Sequence, residues 1–421
     1  KEEKIEESTA MRKLMRIGID ATTIGLGLSG VSRAGVYRYL LNIVSGLAEI
    51  DEVNDYVLFL SLFRSKHLKG YHEVRSLFDG RRNFGIALSR LPRRISVPLR
   101  MPTDLYTGRV DVFHGDVLFA PVTSGKYVIT IHDMAYLRMP EILDPEWVRI
   151  LSNNTGFSAK KLKWYRDRVK LFEDLKKYNP PAVRKADLVI AVSSSTKNDL
   201  VELLHVPKDK VKVVHNGVTR DFAPIRDKEL LAETRRKYNI KGDYILFVSE
   251  LRPYKNIAGL LEAFNELRQS SNIRHKLVIT GTKSWYYDII LQRVRELQLE
   301  EDLIFTDFVP DEDLPALYSG ADLFVFPSLF EGFGIDVLEA MACSTPVVSS
   351  NAASLPEVVG DAGILVNPHS SEDMAEGMHR VLSDTALRAK LCNKGIERAK
   401  LFTWEKAARK TLDAYKEVCR M

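Results

Sequence analysis

The chain has 421 residues, 45% of them hydrophobic and 28% charged, with a net charge of +5. At roughly 150 residues per domain this length predicts two or three domains, and the composition excludes disordered, collagen-like and disulfide-scaffold classes. Cys343, Cys392 and Cys419 form neither a disulfide framework nor a zinc site, and no apolar run approaches the roughly 18 residues of a membrane span, so a cytoplasmic protein is expected.

The charge is unevenly divided. Residues 1–220 carry 36 Lys and Arg against 25 Asp and Glu, whereas residues 221–421 carry 25 against 31. A positive first half points to an anionic partner, either a membrane surface or a phosphate-bearing acceptor. Residues 1–14 read as a tail, because Lys1–Ala10 holds four Glu and two Lys and almost nothing to bury; it cannot be the apolar centre of a secretory signal.

Short β-branched and aromatic runs then alternate with longer amphipathic stretches, the pattern of βα units around parallel sheets. Strands are predicted near 16–20, 56–60, 110–114, 127–131, 187–192 and 211–215. A polar, Pro-containing stretch over 217–225 reads as a linker. Beyond it strands are predicted near 244–249, 276–280, 303–306, 322–326, 345–349 and 363–366. The expected class is α/β with two doubly wound domains, 15–220 and 221–402. A last helix from Thr403, an expected N-cap, carries an apolar stripe of Trp404, Ala408, Leu412 and Tyr415. Ligands of such sheets lie beyond the carboxyl ends of the strands, so a shared site is expected in the cleft between domains.

The most informative segment is FPSLFEGFGIDVLEAMACSTPVVSS, 326–350. Gly332 and Gly334 allow close backbone approach, and a helix opening near Ile335 aims unpaired N–H groups at whatever occupies the turn. Glu331 precedes the turn and Glu339 stands about one turn along the helix, so the two carboxylates are staggered. That spacing suits an extended ligand with hydroxyls at both ends and a diphosphate between. Gly25, Gly27 and Gly30 match the spacing of a dinucleotide fingerprint, but Glu49, the acid that would follow, closes a helix and not a strand. Asp311-Glu312-Asp313 directly precedes a predicted helix and is expected to favour its dipole, not to bind metal.

The run EGFGIDVLEAMACSTPVV, with seven residues between its glutamates, resembles the signature of retaining glycosyltransferases of family 4, which share the GT-B fold. LFVSELRPYKNIAGLLEAF (246–264), LVITGTKSW (277–285), FVPDEDLPALYSGADLFVFPS (308–328) and SLPEVVGDAGILVNP (354–368) are similar to that family's donor domain. VDVFHGDVLFAP, VITIHDMAYLRMPE, VIAVSSSTKNDL and VKVVHNGV resemble its acceptor domain, to which the last helix, 403–421, typically crosses back.

The resemblance implies a role for each matching residue. Glu339 holds ribose hydroxyls, Glu331 sugar hydroxyls, and the Phe333, Gly334 and Ile335 amides lie near sugar and phosphate. Lys255 steadies the departing diphosphate. His132 contacts the donor sugar through its carbonyl, its ring or both; Asp133, by its residue type and not by the resemblance, is expected to cap the turn that follows. Many members carry a basic residue five positions before the lysine; here Glu250 stands there, and Arg252 is the candidate substitute. Gly30 belongs to a loop over the diphosphate, where Tyr37 replaces a glycine usual in the family. No residue is assigned as nucleophile: Glu331 is the only carboxylate considered, and the preferred course has the leaving phosphate deprotonate an acceptor attacking from the same face.

The expected activity is hexosyl transfer from a nucleotide diphosphate sugar to a glycan or lipid-linked acceptor in cell-surface polysaccharide synthesis, without metal or other cofactor. GDP-mannose is the favoured donor, because VITIHDMAYLRMPE and FTWEKAARKTLDAYKEV look most like bacterial polysaccharide mannosyltransferases. A UDP-sugar donor, a nucleotide-sugar epimerase and an inactive nucleotide-sugar binding module remain as alternatives. Six arginines without an acid over 80–103, and the basic amphipathic stretch 160–177, suit peripheral contact with the anionic inner face of a membrane or packing on a sheet. Nucleic acid is not an expected partner, since neither stretch lies in a recognisable module.

Overall fold

The computed structural model describes residues 14–28, 35–62, 68–91, 101–115, 120–140, 159–283 and 286–421. Two parallel sheets form. The first contains β1 (Arg16–Asp20), β2 (Asp55–Ser61), β3 (Phe84–Ser89), β4 (Val112–Gly115), β5 (Lys126–Ile131), β6 (Leu188–Ala191) and β7 (Val211–Val213), in the order β3-β2-β1-β4-β5-β6-β7. The second contains β8 (Tyr244–Val248), β9 (Lys276–Thr280), β10 (Leu303–Asp307), β11 (Leu323–Phe326), β12 (Val347–Ser350) and β13 (Ile364–Val366), in the order β10-β9-β8-β11-β12-β13.

Both orders reverse at the strand where the sheet begins, β1 and β8, and helices cover both faces. Central strands are therefore apolar throughout: every residue of β6, β8 and β11 is buried. The covering helices carry one apolar stripe each. Gly35–Ile50 buries Tyr37, Leu40, Val44 and Leu47, and Ile257–Ser270 buries Ile257, Leu260, Leu261, Phe264 and Leu267. Each such side chain removed from water contributes about 2 kcal/mol.

The predicted strands form within one or two residues of their expected bounds, and β3 is an addition. It lies at the sheet edge, in the arginine-rich stretch that reads as basic surface, and pairs with β2 from Tyr56↔Phe84 to Ser61↔Ser89. Gly25 and Gly27 are a correction of another kind. They are buried within the helix Thr22–Leu28, where Gly25 packs against Leu62, and form no phosphate turn. Gly30 and the tail 1–10 lie outside the described residues, as do 92–100 of the arginine-rich stretch.

The described chain divides into two compact units. One holds the residues up to Thr130 with Pro181–Val189 and Ala408–Met421, and the other holds the described residues of Ile131–Pro180 with Ile190–Ala407. In the first, Val57, Phe59, Ala87, Val110 and Phe113 cluster with Tyr106. A buried chain of hydrogen bonds runs through the same unit: Tyr39 Oη to Thr130 Oγ1 at 2.9 Å, Thr130 Oγ1 to His114 Nε2 at 2.8 Å, and His114 Nδ1 to Tyr415 Oη at 2.7 Å. The helix Trp404–Val418 begins as expected, with the Lys406 amide donating to Thr403 Oγ1 at 3.2 Å. No described helix is long and apolar enough to cross a membrane.

Candidate active site

All the side chains of this site belong to the second unit. β11 ends at Phe326, and the loop Glu331–Gly334 leads into the helix Ile335–Ala342. Gly334 stands at the helix start with φ +100°, a conformation that favours glycine, and a Cβ there would lie 2.6 Å from Leu355 Cδ2. Gly332 is required for a different reason. A Cβ at this position would fall 1.7 Å from the His132 carbonyl oxygen, so the backbone that follows β5 rests directly on the loop. The buried Ser354 hydroxyl ties the loop down, 2.9 Å from both the Glu331 and the Phe333 carbonyl oxygens.

Lys255 ends a short turn, Pro253–Lys255, between β8 and the helix Ile257–Ser270. Its Nζ donates to Glu331 Oε1 at 2.6 Å, and the Ser328 hydroxyl donates to the same oxygen at 2.6 Å. The two charged side chains are 9% and 13% exposed. Phe326 and Tyr254 present their rings to the ammonium at 5.0 and 5.4 Å. Burial works to lower the Lys255 pKa, but Glu331, with lesser contributions from Tyr254 and Asp336, more than offsets it and the pKa is raised. Lys255 is thus a fixed cation at all physiological pH values.

Arg252 is already engaged. It forms an ion pair with Glu250 and donates to Tyr254 Oη at 3.0 Å, while its buried Nε makes no hydrogen bond. Glu250 therefore uses up much of the charge that Arg252 could lend to a ligand. Glu339 is 1% exposed, and its Oε2 lies 3.4 Å from the Tyr318 hydroxyl. Burial and the Glu339 charge push the neighbouring Cys343 thiol up to about 12. Of the expected residues, the structure brings Lys255, Glu331, Gly332 and the His132 carbonyl to one place, with Phe333, Gly334 and Ile335 at the adjoining helix start.

A second cluster has no single-residue signal in the sequence. Glu357, in the helix Leu355–Val359, accepts from the Ser194 amide at 2.8 Å, from Ser194 Oγ at 2.7 Å and from His215 Nε2 at 2.6 Å. The carboxylate thereby meets the start of the helix Ser194–Leu204, where the dipole favours a negative charge. Burial would raise the Glu357 pKa, but the bonds from His215 and Ser194 outweigh it and hold the carboxyl below its ordinary value. Thr196, one turn into that helix, donates through Oγ1 to the Gly332 carbonyl at 3.3 Å. His215 in turn lies against Phe333, ring centroids 5.8 Å apart. These partners are 142 and 163 residues from Glu357, so only the fold reveals them.

Of the acidic run 311–313, Asp313 stands at the start of the helix that follows it. Asp313 makes no side-chain cap to the helix Leu314–Ser319; its carboxylate binds Lys237 at 2.6 Å and the Tyr238 hydroxyl instead. Among the described residues, the group whose atoms come close enough to share a metal ion is Asp243, His275 and Asp322, within 4.8 Å of one another. Asp322 is also paired with Arg388 at 3.0 Å, a cation already in that place.

Residues 33–222 match the family model Glycosyltransferase Family 4, and residues 232–400 match Glycosyl transferases group 1. The O-antigen chain mannosyltransferase B of Escherichia coli is 30% identical over 391 residues, which cover 91% of this chain and 96% of that protein. A glycosyltransferase from Rickettsia africae superposes with a TM-score of 0.67 over 97% of this chain and 99% of its own, at 18% identity. The Alr3699/HepE protein of Anabaena, solved in complex with UDP-glucose, superposes with a TM-score of 0.65 over 96% of this chain and 100% of its own, at 17% identity.

Proposed function

The chain belongs to glycosyltransferase family 4 and has the GT-B fold, and from that premise we propose that it moves a hexose from a nucleotide diphosphate sugar to a hydroxyl of a glycan or lipid-linked acceptor, with retention at the anomeric carbon. The observation that carries this reading is the buried Lys255–Glu331 pair beside the glycine-bounded start of the helix Ile335–Ala342. A diphosphate placed against that helix start meets unpaired N–H groups and the Lys255 ammonium together. As the bond from sugar to phosphate breaks, negative charge accumulates on the phosphate, and a cation fixed in a dry site stabilises it more than the ground state. Glu331, already hydrogen-bonded to Ser328, offers its second oxygen to the sugar hydroxyls.

In this reading the departing phosphate takes the proton of the acceptor hydroxyl, which attacks the anomeric carbon on the face the phosphate leaves. The carbon–oxygen bond to phosphate is replaced by one to the acceptor, and the nucleotide diphosphate departs carrying the proton. Lysine and helix start suffice for the diphosphate charge, so no metal ion enters. Mannose from GDP-mannose is the favoured donor, supported by the mannosyltransferase relative aligned over 91% of the chain, and cell-surface polysaccharide synthesis is the favoured setting. Contact with an anionic membrane surface, through the long basic helix Ala159–Lys185, belongs to the same proposal.

The test is product analysis with GDP-mannose and UDP-glucose, each with and without a mannoside acceptor, the anomeric configuration being read by NMR. An α-mannoside formed from GDP-mannose meets the proposal. Transfer from UDP-glucose alone would replace the donor, and an altered sugar released without acceptor would replace transfer by epimerisation.

A further inference from the structure

Asp133 follows β5 and takes no part in the pairs described so far. Its Oδ1 accepts the Ala135 amide at 3.0 Å, which closes the turn expected after this strand. The same side chain lies against the loop of Glu331: a Cβ on Gly332 would stand 3.0 Å from the Asp133 Cβ. Lys255 and Glu331 are nearly enclosed, whereas Asp133 is exposed to solvent. Burial by the surrounding protein nevertheless raises its pKa, the Glu331 charge adding to this and the Ala135 amide, Arg252 and Lys255 opposing it. Exposed beside the enclosed Lys255–Glu331 pair and against its loop, the Asp133 carboxylate lies where a ligand can replace water.

We propose that Asp133 is a substrate-binding residue of the Lys255–Glu331 site, its Oδ2 accepting a hydrogen bond from a sugar hydroxyl. The assignment rests on the glycosyltransferase reading and deepens it. The charges decide the class of ligand. Asp133 and Glu331 are two carboxylates in one neighbourhood, which repel a phosphate and suit a neutral group rich in hydroxyls, while Lys255 marks the place of the anionic part. The Lys255 ammonium, 2.6 Å from Glu331, already supplies a cation to that acid. Oδ1 is committed to the turn, and Oδ2 accepts no hydrogen bond from any described residue.

The test compares Asp133→Asn and Asp133→Ala with the parent chain, using whichever of GDP-mannose and UDP-glucose the parent transfers, and the matching nucleotide diphosphate alone as a binding probe. Asparagine keeps an oxygen for the Ala135 turn and replaces the outward acceptor with an NH₂ group. In both variants kcat/KM is expected to fall about tenfold or more, the scale of one hydrogen bond to a charged group, while the calorimetric Kd of the nucleotide diphosphate changes less than about twofold. Hydrolysis of the donor without acceptor separates the two sources of the hydroxyl: it falls in parallel if the donor sugar supplies it and is unchanged if the acceptor does. Variants that transfer like the parent, or that lose nucleotide binding as much as transfer, overturn the assignment and leave the family reading intact. A parent that neither binds a nucleotide diphosphate nor transfers sugar overturns both.

Discussion

Lys255 Nζ lies 2.6 Å from Glu331 Oε1, and the loop and the turn that carry them come from segments 76 residues apart. Each charge is the other's compensation while the site holds no ligand. Removing one partner leaves the other enclosed and unpaired, so Lys255→Ala is expected to destabilise the fold by about 3 kcal/mol. Glu331→Gln in the same chain should restore part of that loss. Denaturant midpoints of the two single variants and the double variant measure the coupling, and a zero coupling energy would contradict the pairing.

Gly332→Ala places a methyl group where the His132 carbonyl already is. One of the two backbones must move by more than an ångström. The expected cost is about 3 kcal/mol, at the upper end for overpacking, together with loss of transfer activity. Thermal unfolding of this variant beside Gly242→Ala, an exposed glycine with open space around it but φ +79°, separates the clash from backbone strain.

The Glu357 carboxyl is held below its ordinary value in the folded chain. A carboxylate of this kind contributes stability that is fully present above the unfolded-state value, about 4.3 for glutamate, and that is lost as pH falls through the lower folded value. Glu357→Gln is therefore expected to be less stable than the parent by about 1–2 kcal/mol near neutrality, with the gap closing as the pH falls below about 4.3. Urea titrations at several pH values read this directly; a gap independent of pH would remove the charge from the explanation.

Tyr415→Phe deletes one hydroxyl from the buried chain through His114, Thr130 and Tyr39. His114 Nδ1 then loses the bond this hydroxyl supplies, and the expected cost is about 1–3 kcal/mol. Hydrogen exchange at β4 and β5 is expected to report the loss, since His114 and Thr130 belong to those strands.

The sheets were legible because a strand covered on both faces must be apolar along its whole length, as in YILFV and LFVF, and such runs stand out between amphipathic helices. β3 was not, since an edge strand flanked by arginines needs burial at only some of its positions, and FGIALS alternates too loosely to announce itself. At the site, the glycine pair lies within one short motif whose spacing pointed to it, while the Lys255 turn was reached through the family resemblance of LFVSELRPYKNIAGLLEAF. Glu357, by contrast, looks like any exposed helical glutamate until the fold delivers Ser194 and His215 to it, and Asp133 reads as no more than a turn cap until the Glu331 loop lies beside it. The engagement of Arg252 by Glu250 likewise depends on side-chain directions that no spacing rule supplies.

The first unit is assembled from three separate stretches of chain, ending with 408–421. A scissile cut after the first sheet would consequently yield an amino-terminal fragment without Tyr415 and with His114 stripped of that partner. The carboxyl-terminal stretch is thus part of the amino-terminal fold, and shortening the chain from that end removes core from its opposite half.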